Sequence, residues 1–125
     1  MSGWRADEIG QVQRVDELRV ASRRPDGSLR PWVTIWFVTH GDDLYIRSAH
    51  GPENGWFRRA RESGTGRVQV GSLEKDVVFE KADDAPHEAL DAALHAKYDR
   101  YGPGPVGAIV GPDVVGVTLR VVPAA

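Results

Sequence analysis

Tyr45-Ile46-Arg47-Ser48-Ala49-His50-Gly51 ends an alternating strand in a guanidinium, a hydroxyl and a flexible loop, and Trp56-Phe57-Arg58-Arg59 then opens a helix. That grouping is suited to holding a phosphate. Arg47 and Ser48 offer hydrogen bonds worth about 1.5–3 kcal/mol each when one partner is an ion. A helix start adds N–H groups that have no partner within the helix. Arg47 has a second reading, a surface ion pair with an acid across the hairpin, worth at most about 1 kcal/mol.

Other reactive side chains give weaker patterns. His40 and His50 flank one hairpin, within reach of Asp42 or Asp43, as a metal pair or an acid–base pair would, but loop histidines of this kind are usually solvated, and no metal is expected. Lys97 and Tyr98, with Tyr101, could place a proton donor near a ligand ring. Tyr98 also lies on an apolar helical stripe, where a phenol normally finds a buried backbone partner. There is no Gly-x-Ser-x-Gly, no His-Glu-x-x-His and no carboxylate pair at catalytic spacing, so hydrolase chemistry lacks support. Gly102-Pro103-Gly104-Pro105 has neither the spacing nor the lysine of a phosphate loop.

The elements that position these residues fit one domain spanning 1–125, the usual size for a single core. Apolar residues make up 41% and charged residues 27%, the balance of a folded chain. Cysteine is absent, which removes disulfides, thiolate nucleophiles and Cys-ligated metal. No apolar run is long enough to span a bilayer and Met1-Ser2-Gly3-Trp4-Arg5 is no signal-peptide core, so a cytoplasmic protein without membrane contact is expected. Net charge is −2, which argues against nucleic acid as a partner, although Arg23, Arg24 and Arg30 form a small basic patch.

Asp7 is placed to cap a short helix ending near Val15, with Ile9 and Val12 on one face. Period-two alternation begins at Leu18 and gives a first strand. Pro25-Asp26-Gly27-Ser28 is a turn, because proline presets φ and glycine accepts a positive one. A second strand runs from Trp32 to His40 and is apolar or aromatic on both faces, so each face needs a non-aqueous neighbour: core on one side, a ligand ring or partner subunit on the other. Leu44–Ser48 forms the third strand and Trp56–Ser63 a helix ended by Gly64. A hairpin of Arg67–Gly71 and Val77–Glu80 follows. A long helix then starts at Asp84 with Leu90, Leu94, Tyr98 and Tyr101 on one face, Gly102–Pro105 is a rigid connector, and Val114–Val122 is the last strand. The sum is an α+β chain, mainly β: six antiparallel strands and about three helices, most economically closed as a barrel.

This order of motifs, from the Asp26-Gly27 turn and aromatic strand through Leu44–Ser48, the glycine loop, Trp56 and the Gly-flanked hairpin to Lys97-Tyr98-x-x-Tyr101, resembles a family of small uncharacterised bacterial split-barrel proteins. That family is similar to the pyridoxamine-phosphate-oxidase-like flavin proteins and the deazaflavin-dependent nitroreductases. The resemblance covers most of the chain. It implies that Ser48, Gly51 and Trp56 stand in the nitroreductases' phosphate-side loop, with Arg59 where they have asparagine. Arg47, with Arg58 or Arg59, looks like the basic pair that holds a flavin phosphate, and Arg30 resembles the basic residue at the start of a strand. Trp32 and Trp36 would stack a flavin or fill its space. Leu29 and Trp32 depart from the glycine and basic residues usual there.

The resemblance therefore implies an oxidoreductase that binds FMN or a deazaflavin, substrate unknown, and because pockets in small barrels often lie where two subunits meet, a homodimer is expected. The alternative is a cofactor-free split barrel whose pocket, lined by Trp32, Trp36 and Trp56, binds an apolar small molecule, as a carrier or as a catalyst acting by shape.

Overall fold

A computed structural model describes residues 3–49 and 51–124. Helix α1 (Ala6–Val12) begins the fold, followed by strands β1 (Leu18–Ser22), β2 (Val33–Ile35), β3 (Val38–His40) and β4 (Asp43–Arg47). Helix α2 (Gly55–Ser63), strands β5 (Thr65–Val70) and β6 (Leu73–Lys81), helices α3 (His87–Tyr98) and α4 (Pro103–Gly107), and strand β7 (Thr118–Pro123) complete it. Among the described residues the seven strands form one antiparallel sheet in the order β2-β1-β5-β6-β7-β4-β3.

The two edges of that sheet, β2 and β3, are consecutive in the chain with only Trp36 and Phe37 between them. Such a link spans at most about 11 Å. The sheet must therefore curl until its edges meet. This corrects the expectation of six strands, because the run from Trp32 to His40 is not one strand but two. The physical reason lies at Phe37, whose N–H is donated to the Tyr98 hydroxyl (3.1 Å) instead of to a neighbouring strand. The Tyr98 proton is within reach of the carbonyls of Asp16 (2.6 Å) and Phe37 (2.9 Å). One buried phenol thus replaces the ladder where the sheet breaks, and burial pushes its pKa up.

Two apolar clusters hold the sheet from either side. Inside the curl, Leu18, Val20, Leu44, Ile46, Val68, Val70 and Val121 meet Phe57 and Ala60 of α2. Trp4, Ile9 and Val12 join the same cluster, and Trp4 Nε1 donates to the Val121 carbonyl at 2.8 Å. Glu8 turns back onto the Arg5 N–H (3.0 Å) to cap α1 and pairs with Lys75. Burial raises the Glu8 pKa, but these hydrogen bonds outweigh it and hold the carboxyl below its ordinary range. Outside the curl, α3 lays Leu90, Leu94 and Tyr98 against Val38 and Tyr45. The outer face of the aromatic run is thus covered in part by a helix of the same chain.

Close approach explains one glycine. At the β1–β5 contact, a Cβ on Gly66 would lie 2.2 Å from the Ala21 carbonyl oxygen and 2.9 Å from the Phe79 ring. Further differences from the sequence reading lie near the C-terminus. Gly102–Pro105 is not a plain connector: Pro103 starts the short helix α4, where its missing N–H costs nothing. Residues Pro112–Val117 form a 3₁₀ segment, so β7 starts at Thr118 and not at Val114. Tyr101 leaves the α3 face through a 3₁₀ turn and is 47% exposed.

Candidate functional site

A cavity of about 710 Å³ forms a groove along the join between β2 and β3. Its floor is the stretch from Val33 to Val38, and its walls include Tyr45, Arg47, Trp56, Pro105 and Ile109. Volumes of about 300–1,000 Å³ are typical of small-molecule sites. The lining is mostly apolar, with Glu17, Thr34, Arg47 and Asn54 as its polar members.

Alternation along β4 decides where Arg47 goes. Leu44 and Ile46 point into the curl, so Tyr45 and Arg47 face α3. The Arg47 side chain is 2% exposed, and its donors are committed to protein. Nε donates to Thr118 Oγ1 (3.0 Å), one terminal nitrogen to Asp91 Oδ1 (2.6 Å) and the Ile109 carbonyl (2.9 Å), and the other meets His87 Nδ1 (3.0 Å). Asp91 also accepts the Gly111 N–H at 3.2 Å. Arg47 therefore ties α3, β7 and the segment after α4 to one point. The expected phosphate grip at Arg47 is revised accordingly: it builds the groove wall, and one N–H at most is left over.

Ser48 is fully buried and donates to the Gly51 carbonyl at 2.6 Å, so its hydroxyl closes the loop instead of reaching the groove. Gly51 takes a φ of 94°, the left-handed region that favours glycine. Asn54 Nδ2 secures the same loop through the Ala49 carbonyl at 3.3 Å. His50 lies outside the described residues. His40 is exposed at the end of β3, and no group of three metal-ligating side chains occurs among the described residues.

Trp36 and Trp56 both reach the groove and both pack. Trp36 stacks on Tyr98 with ring centroids 4.2 Å apart and planes 9° apart. Trp56 meets the Phe57 ring edge-on at 5.9 Å. Trp32 is 38% exposed and is not among the groove residues. Lys97 lies over the Phe37 ring (3.5 Å to the centroid) and near the Phe37 carbonyl (3.4 Å); burial lowers its pKa to about 8.

Arg30 and Arg59 come together from β2's approach and from α2, although 29 positions separate them. They border a narrow cleft of about 20 Å³ along with Val33 and Trp56, which also line the groove. Arg30 Nε is buried and has no hydrogen-bond partner among the described residues. An orphaned guanidinium nitrogen beside a second arginine is the chemistry of an anion site.

His87 and Asp91 were missed by sequence reasoning, yet a signal was present. Positions 87, 91, 94 and 98 share one helix face, so the two polar residues continue the buried stripe of Leu94 and Tyr98. Polar residues on such a stripe require a buried partner, and Arg47 is that partner.

A curled antiparallel sheet with consecutive edge strands, a helix on its outer face and a groove at the join is the architecture of the split-barrel proteins. Solved structures similar to it include a candidate pyridoxamine 5′-phosphate oxidase from Listeria innocua, with a TM-score of 0.65, 16% identity and coverage of 95% of this chain and 92% of that one. A FAD-binding protein from Mesorhizobium loti gives a TM-score of 0.60 at 20% identity, covering 97% and 91%. A protein described as F420 reductase gives 0.57 at 18%, covering 94% and 93%. At these identities the likeness establishes the fold. The chain belongs to the DUF2255 family, described as an uncharacterized protein conserved in bacteria, which it matches over residues 8–121. No curated protein matches in sequence. Among the described residues no helix is long and apolar enough to cross a membrane.

Proposed function

We propose that this chain binds a flavin or deazaflavin in the groove, its ring near Trp36 and Trp56 and its phosphate on Arg30 and Arg59, and acts as an oxidoreductase of the split-barrel type. The observation that carries this reading is the continuity of an apolar, aromatic groove with two arginines, one of which has a buried, unpartnered Nε. Neighbouring folds described as FAD-binding and as F420 reductase support it. Such a cofactor supplies the hydride chemistry itself when bound.

The chain's own residues bind, orient and enclose. Arg30 and Arg59 neutralise the anionic end. Val33 and Trp56 line the passage between phosphate and ring. Ser48 and Gly51 fix the loop before α2, and Arg47 holds Ile109 in the groove wall. A homodimer belongs to the same reading: Trp32 offers a second copy an exposed aromatic surface, and light scattering is expected to give the mass of two chains.

One observation favours the cofactor-free alternative. Trp36 is already stacked on Tyr98, which covers one ring face and leaves a groove suited to an apolar guest. Titration with FMN and with a deazaflavin, followed by tryptophan fluorescence, separates the two. Saturable quenching is expected, weakened about ten- to a hundredfold by Arg30→Ala or Arg59→Ala with the melting temperature unchanged. Absence of quenching by either compound refutes cofactor binding and favours the apolar guest.

A further inference from the structure

The chain has three lysines, and their surroundings differ. Lys75 pairs with the buried carboxylate of Glu8, and Lys81, on the surface, lies 3.8 Å from Asp83. Lys97 has no carboxylate partner among the described residues. Its Nζ lies 3.5 Å from the centroid of the Phe37 ring and 5.2 Å from that of Tyr98, with the Phe37 carbonyl as an acceptor at 3.4 Å. An ammonium carries three N–H donors, so the other two depend on whatever water reaches this half-buried position. The ring face and the last turn of α3 both favour a cation, but the loss of water outweighs them and lowers the pKa to about 8. At about pH 7.5 roughly one-quarter of Lys97 is then the neutral amine, against roughly one-thousandth for a lysine of ordinary basicity.

The neutral amine is the nucleophilic form of lysine, and a desolvated amine with no anion to hold a proton beside it is the kind that reacts. We propose that Lys97 is an acylation site: its amine, lying on the Phe37 ring without a counter-ion, is the lysine of this chain that small acyl phosphates modify. The Nζ lone pair attacks the acyl carbon and forms a C–N bond. The C–O bond to phosphorus breaks, and inorganic phosphate leaves with that electron pair and with the proton from nitrogen. The product is a neutral amide whose remaining N–H keeps a donor for the Phe37 carbonyl. The modification falls at the break between β2 and β3, where Phe37 also borders the groove, and it does not depend on what the groove holds.

Treatment of the intact folded chain with acetyl phosphate tests this. Amines left unmodified are then labelled with isotopically heavy acetic anhydride in denaturant, and peptide mass spectrometry gives the occupancy at Lys75, Lys81 and Lys97. Lys97 is expected to react about tenfold faster than Lys81 at about pH 7.5, its larger neutral fraction being offset in part by lower basicity and by burial. The rate at Lys97 is expected to level off above about pH 8, whereas the rate at Lys81 keeps rising toward about pH 10. In concentrated urea the three lysines are expected to react alike. Lys97 reacting no faster than Lys81 overturns the proposal, and so does a rate at Lys97 that climbs with pH in step with that at Lys81. An advantage at Lys97 that persists in urea also overturns it, because the cause then lies in the local sequence and not in the seat on Phe37.

Discussion

Asp91→Ala leaves the Arg47 guanidinium buried without its carboxylate. Breaking a buried ion pair from one side typically costs about 3–5 kcal/mol, because the surviving charge stays desolvated. Here Arg47 is 2% exposed but Asp91 is 29% exposed, so water reaches the vacated position and the lower end, about 3 kcal/mol, is expected. With an unfolding entropy of about 2.1 cal/mol/K per residue over 125 residues, that corresponds to a fall in Tm of about 11 °C. Asp91→Asn keeps an acceptor for the 2.6 Å hydrogen bond and is expected to cost about half as much. The assay is thermal unfolding followed by circular dichroism. Amide exchange at Gly111 is read alongside, because its N–H is held by the same carboxylate. Replacing both partners with Arg47→Met and Asp91→Leu is expected to cost less than Asp91→Ala alone. If both single variants stay within about 0.5 kcal/mol of the parent, Asp91 is not what neutralises Arg47, and the reassignment of Arg47 to the groove wall fails.

Gly66→Ala drives a methyl group into the Ala21 carbonyl, and is expected to destabilise the β1–β5 contact by more than about 2 kcal/mol, measured as a drop in urea midpoint. Lys97 has a pKa of about 8 in the folded chain against 10.5 for a free lysine, so the unfolded chain binds more protons between those values and stability rises with pH across that window. Lys97→Met is expected to flatten the rise, and urea midpoints at about pH 7 and pH 10 check it.

The sheet-facing side of α3 and the alternation of β4 were legible because each carries a local period: Leu90, Leu94 and Tyr98 on the helix, Leu44 and Ile46 against Tyr45 on the strand. The break at Phe37 was not, because its cause is a hydroxyl 61 positions away and the run from Trp32 to His40 is apolar throughout. Arg47 and Ser48 were singled out as a phosphate grip, but the Arg47 partners Asp91, Ile109 and Thr118 lie in segments that only the fold brings near. The proposed anion site had the opposite fate. Arg30 and Arg59 were each noticed, on separate segments, and their convergence depends on α2 packing over β1.

The join between the first and last strands of the sheet has a consequence for self-association. Unpaired strand edges ordinarily present rows of backbone donors and acceptors that template the growth of aggregates. Here each terminal strand is three residues long, and the chain folds one toward the other through Trp36 and Phe37. Little backbone is left for a neighbouring molecule to extend, so the two residues that interrupt the sheet also guard it against fibrillar stacking.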